Sequence, residues 1–154
     1  MKLKFSFSFV ILAAIAACNS PSNRDDSAGS TNYFSDPNVR EDEAPGVYFV
    51  NLKDGDTVRS PVIVEMGVRG KEVEPSGTVH PEKGHHHIIV DGSFIKADET
   101  VPTDSIHLHF GKGETSDTLY LHPGKHTLTL QFANGNHISF GKGWSKTITI
   151  TVTQ

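Results

Sequence analysis

The chain has 154 residues, of which 14 are basic and 18 are acidic, and its formal net charge is −4. This length allows one folded domain, and the acidic balance argues against a nucleic-acid-binding protein, which needs a basic surface. The chain has one cysteine and therefore cannot form an internal disulfide.

Residues 1–17 have the pattern of a secretory signal peptide. Two lysines precede the apolar stretch Phe5–Ala17, which is shorter than the ~20 residues that span a bilayer. The stretch ends in Ile-Ala-Ala-Cys, which resembles the bacterial lipobox, where a lipoprotein signal peptide is cut. The resemblance implies a mature chain that is lipidated at Cys18 and anchored to a membrane of the bacterial cell envelope. The alternative is an ordinary secretory signal with a chance cysteine.

Residues 18–44 are rich in Ser, Asn, Asp, Glu and Pro and have little to bury. This composition predicts a disordered tether that holds the folded domain, residues 45–154, off the membrane. Removal of the signal peptide leaves 12 basic residues against 18 acidic ones, a formal charge of −6. Lipidation of Cys18 would leave no thiol for metal ligation or catalysis.

Seven short stretches of the domain have the residue types and alternation of β-strands, and Gly, Pro and Asp separate them. They are Val47–Val50, Pro61–Val68, His85–Val90, Ser105–Phe110, Asp117–Leu121, Lys125–Phe132 and Ser145–Val152. No stretch has a convincing helical period. The pattern predicts an all-β fold, an immunoglobulin-like β-sandwich of about seven strands. Isoleucine and valine in the last strand should face the core, and its threonines should lie on a solvated face.

Three consecutive histidines open the third predicted strand. Since successive side chains of a strand point to opposite faces, His85 and His87 share one face, and His86 shares the other with Ile88 and Val90. Whichever face is buried takes at least one imidazole with it. A buried imidazole needs hydrogen-bond partners or a metal ion.

A second histidine pair, His107 and His109, lies at strand spacing, with Cα atoms ~6–7 Å apart. If the two strands are neighbours, three or four imidazoles could meet. Imidazole without thiolate suits Zn(II), Cu(II) or Ni(II), and its affinity for metal should fall as the pH drops through ~6.5. The candidate ligands are His85, His87, His107, His109, His126 and His137. Three further residues, His86, Asp91 and His122, are predicted to support these ligands or to lie in the core.

The sequence shows no clear catalytic constellation. No serine lies in a nucleophile elbow, and the acidic residues of the turns are typical of solvated caps. The tetrapeptide Phe-Gly-Lys-Gly occurs at 110–113 and 140–143 but lacks the pattern of a phosphate loop. We interpret both copies as strand ends where the backbone turns tightly or admits a close neighbour.

Four blocks of the chain resemble a family of small bacterial exported domains, domain of unknown function 4399. The blocks are Gly84–Asp91, His107–Gly113, Leu121–Leu130 and Asn136–His137. The similarity covers about Val47 to Val152. It implies that the histidine pattern belongs to the domain type, and it brings no activity with it.

Three hypotheses follow for the function. The first is a metal-binding module, an envelope lipoprotein that holds Cu or Zn as a buffer, carrier or sensor. The second is a metalloenzyme, because a β-sandwich with His-x-His on a strand is faintly similar to copper–zinc superoxide dismutase. The third is an interaction or structural module that binds a protein or glycan of the envelope, with its histidines in a polar network. We favour the first.

Overall fold

The computed structural model describes residues 44–154, and in this range the chain forms nine β-strands and one 3-10 helix. The strands are β1 (Gly46–Phe49), β2 (Thr57–Arg59), β3 (Val62–Arg69), β4 (Glu72–Val73), β5 (Lys83–Val90), β6 (His107–His109), β7 (Ser116–Leu119), β8 (Gly124–Ala133) and β9 (Ser145–Thr153), and the 3-10 helix is Lys142–Trp144. The predicted signal peptide, Cys18 and tether lie outside the described residues. Within residues 44–154 no helix is long and apolar enough to cross a bilayer.

The strands form two sheets that pack face to face. One sheet has the order β1-β3-β7, and the other has the order β2-β9-β8-β5-β4, with β6 also pairing with β5. In order along the chain, β1, β3 and β7 correspond to immunoglobulin strands A, B and E, and β5, β8 and β9 correspond to C, F and G. The predicted all-β, immunoglobulin-like sandwich is therefore confirmed.

The core lies between the sheets and follows from the period-2 alternation of the strands. In β3 the residues Val62, Val64 and Met66 are buried, while Ile63 and Glu65 between them are exposed. The buried side chains of the second sheet that complete this cluster are Ile88, Leu128, Leu130, Phe132, Ile148, Ile150 and Val152. Each large side chain buried in this way contributes about 1.5–3 kcal/mol.

The two strands that the sequence did not predict, β2 and β4, are three and two residues long and pair in parallel with β9 and β5. Edge strands this short have no recognisable sequence pattern, because only their pairing with a longer strand makes them strands. The strand predicted at 105–110 is also shorter than expected. The backbone N–H groups of Ile106 and His107 donate to Asp104 Oδ1, and this turn delays the start of the strand.

Strand β5 is buried on both faces. Its inner face joins the core, and the long connection between β5 and β6, residues 91–106, lies over its outer face. Gln131 Oε1 on β8 accepts the N–H of Ile95, and Val101 of the connection is buried. The same cover buries Thr129 of β8 completely, whereas Thr147 and Thr151 of β9 are exposed, as predicted for the threonines of the last strand.

Candidate metal centre

Four imidazole rings meet on the outer face of the larger sheet. His85 and His87 come from β5, His109 comes from β6, and His137 lies in the segment after β8. The register explains the meeting on the sheet, because His87 lies directly opposite His109 in the antiparallel β5–β6 pair, and residues that face each other there point to the same side. These four residues are called the histidine cluster below.

The rings of the histidine cluster lie as close together as ligands of one ion would. The Nε2 atoms of His85 and His87 are 3.0 Å apart, and so are those of His109 and His137. All six distances between ring centroids fall between 4.6 and 5.8 Å. Three of the residues, His85, His109 and His137, offer ligand atoms that lie within 4.8 Å of one another.

A tight turn presents His137 to the cluster. Its backbone has φ 64°, in the left-handed region that non-glycine residues occupy sparingly. Asn134 Oδ1 accepts the N–H groups of Asn136 and Ile138, and the N–H of His137 donates to the Asn134 carbonyl. The N–H of Val101 then donates to the His137 carbonyl at 2.9 Å. The cover segment therefore fixes the turn that carries the fourth imidazole.

A glycine makes room for the ring of His109. A Cβ atom on Gly111 would overlap the Cε1 and Nε2 atoms of that ring and would also press on Ser76 Oγ. Ser76 holds the glycine in place, because its N–H and hydroxyl both donate to the Gly111 carbonyl, at 2.8 and 3.1 Å. The ring of His109 is therefore the close neighbour predicted for the first Phe-Gly-Lys-Gly tetrapeptide.

Burial favours the neutral form of three imidazoles of the cluster, those of His85, His87 and His109. The pKa of His85 falls to about 4 and that of His87 to about 2, first because burial disfavours the charged ring and then because the other histidines repel a further positive charge. Burial also lowers the pKa of His109, and the carboxylate of Glu114 opposes this shift. Neutral imidazole is the form that ligates metals. The pH at which protons should compete for the site therefore lies below the ~6.5 expected from free histidine.

The cluster opens to solvent on one side. His85 and His87 are no more than 2% exposed, whereas His137 is half-buried and His109 is exposed. An ion could therefore reach the cluster past His109 and would contact the buried pair behind it. Among the described residues, the Nδ1 atoms of His85 and His87 have no hydrogen-bond partner. Such unsatisfied buried groups cost about 1–3 kcal/mol each.

The other predicted ligands lie elsewhere. His107 shares the sheet face with the cluster, but its Nδ1 is 2.7 Å from Asp104 Oδ1. His126 lies at the opposite end of β8, where its Nδ1 is 2.8 Å from Asp91 Oδ2. The structure does not bring these two histidines into the group, and ligation by either stays a prediction without geometric support.

Of the three residues predicted to support the ligands or to lie in the core, His86 lies in the core and the other two lie away from the cluster. Asp91 holds His126, and the carbonyl of His122 accepts a hydrogen bond from His126 Nε2 at 2.9 Å. His86 points into the core, where its ring meets Phe132 edge-on at 5.1 Å. Neither ring nitrogen of His86 has a hydrogen-bond partner among the described residues. It is therefore a core histidine and not a support for the cluster.

Sequence reasoning missed the residues that position the cluster, which are Gly111, Asn134 and Val101. Gly111 follows His109 by two residues, so a glycine at strand spacing from a histidine was the available signal. The sequence Asn134-Gly135-Asn136 is a turn signal that could have indicated the tight turn before His137. Nothing in the sequence indicated Val101, because its contact with the His137 turn joins segments 36 residues apart.

A sequence model of the family described as domain of unknown function DUF4399 matches residues 64–153. The match includes all four residues of the histidine cluster. No curated protein and no solved structure matches the chain.

Proposed function

This chain belongs to the DUF4399 family, as the resemblance predicted, and we propose that it is a bacterial envelope lipoprotein that binds a transition-metal ion, Cu(II) or Zn(II), through its histidine cluster. The metal role is that of a buffer, carrier or sensor. The family description names no activity, so the proposal rests on the residues of this chain.

One observation carries the proposal: four imidazoles from three separate segments converge in a partly open site, with Nε2 atoms 3.0 Å apart in two pairs. Two neighbouring nitrogen ligands of a metal with bonds of ~2.0–2.1 Å lie about 2.8–3.4 Å apart. The observed pairs already have this separation. A solvated His-x-His pair on a sheet would not bury two rings and recruit two more.

The donor set supports a borderline transition metal. The cluster contains imidazole nitrogen only, with neither thiolate nor thioether, and the one nearby carboxylate that affects it electrostatically is Glu114. Imidazole suits Zn(II), Cu(II) and Ni(II), whereas Ca(II) and Mg(II) prefer oxygen. The lowered pKa values of His85 and His87 keep the lone pairs available at neutral pH.

Placement in the cell envelope rests on the sequence of residues 1–18. An apolar stretch that ends in Ile-Ala-Ala-Cys supports cleavage before Cys18 and lipidation of its thiol. The polar segment that follows would separate the domain from the membrane, outside the cytoplasm. An anchored metal-binding domain in this position would meet ions that enter or leave the envelope.

The test is calorimetric titration of the full-length chain, free of affinity histidines, with Cu(II) and Zn(II) at pH 7.5. We expect one ion to bind with a dissociation constant below micromolar. The double variant His109→Ala with His137→Ala should weaken binding at least 100-fold. His122→Ala, which removes an exposed imidazole outside the cluster, should bind as the unmodified chain does. Binding no tighter than that of a histidine-rich peptide of scrambled sequence would refute the proposal.

A second candidate function is the module that binds a protein or glycan of the envelope, with the histidines as a polar network. The two Nε2–Nε2 contacts of 3.0 Å favour it, because neutral imidazoles can donate and accept within such pairs without a metal. If the titration shows no tight binding, this candidate leads. Affinity capture from envelope fractions, with and without the double variant, would then be the next measurement.

A further inference from the structure

We propose that the histidine cluster is a closed, tetrahedral, four-imidazole site of the kind that suits Zn(II), with His87 as the fourth ligand. This inference rests on the proposed function and makes it more specific. It names the coordination geometry, the class of metal that the geometry fits, and the absence of an open coordination position for a substrate.

The six ring distances distinguish a tetrahedral from a square-planar arrangement. Imidazoles bound at ~2.0–2.1 Å to one ion have centroids about 5.2 Å apart in a tetrahedron. In a square plane, four pairs would be about 4.5 Å apart and the two opposite pairs about 6.4 Å apart. The observed values are 4.6, 4.8, 5.0, 5.0, 5.1 and 5.8 Å.

No division of the four rings into opposite pairs fits the square plane. In each of the three divisions at least one of the two pairs is 5.0 Å apart or closer. The six ring distances lie nearer to the single value of a tetrahedron than to the two values of a square plane. The fold imposes this, because three rings stand on two adjacent strands and His137 approaches from a turn outside the sheet. The two Nε2–Nε2 contacts of 3.0 Å are shorter than the ~3.3–3.4 Å of a tetrahedral site, so they would lengthen when the ion binds.

His87 decides whether the site is closed. The ligand atoms of His85, His109 and His137 lie within 4.8 Å of one another and could hold an ion without it. Such a three-histidine site would keep a fourth position for water, as catalytic zinc sites do. His87 is the residue available for that position: its ring is 4.8, 5.1 and 5.8 Å from the other three, and its Nε2 is 3.0 Å from that of His85.

Within residues 44–154 the ring of His87 has one polar contact, and that contact lies within the cluster. It is 2% exposed, and the one hydrogen-bond contact of its ring nitrogens among the described residues joins its Nε2 to the Nε2 of His85. Its Nε2 therefore already points to the atom that would share the ion.

The tetrahedral geometry favours Zn(II) among the candidate metals. Tetrahedral nitrogen sites are typical of Zn(II), whereas Cu(II) and Ni(II) prefer square-planar or tetragonal surroundings. Cu(II) binds most nitrogen sites more tightly than Zn(II) does, so it would also bind here, but away from its preferred geometry. A site with four protein ligands fits storage, transfer or sensing of the ion and does not fit hydrolytic or redox turnover at an open position.

The experiment uses Co(II) as a spectroscopic substitute for Zn(II) in the full-length, tag-free chain. One equivalent of Co(II) should give the intense visible absorption of a tetrahedral complex, and excess azide should leave it unchanged, because no position is open. His87→Ala should lower the Co(II) affinity at least tenfold and make the spectrum sensitive to azide. His122→Ala should match the unmodified chain.

Zinc X-ray absorption of the unmodified chain checks the ligand count even if His87→Ala does not fold. Four imidazoles at ~2.0 Å are expected. Three imidazoles with an oxygen ligand, or an azide response in the unmodified chain, would overturn the closed site and leave metal binding intact. A weak Co(II) spectrum typical of six ligands would do the same. Failure to bind Co(II) or Zn(II) would overturn both this inference and the proposed function.

Discussion

Three of the nine histidines hold a carboxylate at 2.7–2.8 Å through Nδ1, namely His80, His107 and His126. Four others meet in the histidine cluster. The remaining two are the fully buried His86 and the exposed His122. Identical side chains therefore have different chemistry, and the environment of each ring decides its protonation and partners.

At the scale of one residue, His86 lowers the stability of the fold. We expect His86→Leu, measured by urea unfolding at pH 7.5 with a chelator present, to raise the free energy of unfolding by about 1 kcal/mol, because it removes a buried group with no partner. Burial lowers the pKa of His86 to about 4, against 6.5 in the unfolded chain. The wild-type chain therefore loses stability as the pH falls from 6.5 to 4, by up to about 3 kcal/mol from this ring.

The variant should escape that loss, so its advantage over the unmodified chain should widen as the pH falls from 7.5 to 5. His122→Leu changes an exposed histidine and should show no such widening. If the difference in the free energy of unfolding between His86→Leu and the unmodified chain stays constant across this pH range, the assignment of the loss to His86 is contradicted.

Gly111 is the second residue with a specific role. We expect Gly111→Ala to weaken metal binding at least tenfold in the same titration, because the added Cβ overlaps the ring of His109 and displaces it. Gly55→Ala is the matched control: it lies in a remote turn with φ 86°, and its Cβ would meet nothing within 4 Å. It should cost about 1 kcal/mol of stability and leave the affinity unchanged. Equal affinities for both variants would show that Gly111 does not position the ligand.

At the scale of elements, β5 links the two histidine environments. It carries His85 and His87 of the cluster, and its last residue leads into Asp91, which has φ 56° and binds β8. The Asp91 carboxylate accepts the N–H of Thr127 at 2.9 Å and holds the ring of His126. Since that ring also faces the His122 carbonyl, both of its nitrogens meet acceptors, and only the protonated ring can donate to both.

Replacing Asp91 should therefore destabilise the chain in a pH-dependent way. The hydrogen bond to Asp91 raises the pKa of His126, and burial opposes this to a smaller extent. The stabilisation is present below pH ~6.5 and is lost as the pH rises through the raised pKa. We expect Asp91→Asn, which tolerates the same backbone conformation, to cost about 1 kcal/mol at pH 6 and less at pH 9.

Urea unfolding at the two pH values, with a chelator present, measures the difference. Glu99→Gln, which changes an exposed carboxylate 3.9 Å from Lys96 Nζ, should cost nothing measurable at either pH. A cost of Asp91→Asn that is equal at pH 6 and pH 9 would mean that His126 is neutral in the fold.

At the scale of the whole molecule, the domain combines a β-sandwich with a histidine cluster on the outer face of its larger sheet. The cluster joins β5, β6 and the turn after β8, and residues 91–106 brace that turn from outside. Under the proposed function the bound ion adds a link between these segments, and the predicted lipid at Cys18 would keep the domain at the membrane.

Lipidation is tested on the complete chain by labelling with radioactive palmitate in a bacterial host. The unmodified chain should incorporate the label and start at Cys18 by mass spectrometry, whereas Cys18→Ser should do neither, because its hydroxyl replaces the thiol that accepts lipid. Ser20→Ala, two residues further on, should be labelled normally. An unlabelled wild-type chain cut elsewhere would support the ordinary secretory signal instead.

The sequence by itself determined the sandwich and the side of the sheet on which each histidine lies. Alternation places His85 and His87 on one face and His86 on the other, and this needs only the period of a strand. The core residues of β9 and the family also followed from local patterns. These properties depend on neighbours along the chain, so they can be predicted without knowledge of strand pairing.

The tertiary structure alone decided which histidines meet. The register pairs His87 with His109, and a contact between segments 36 residues apart sets the turn that delivers His137. In the same structure, His107 and His126 contact aspartates instead. Pairing and register arise from the summed burial of whole strands and from loop closure, which no short pattern encodes. The histidine cluster therefore became visible only once the sheets were assembled.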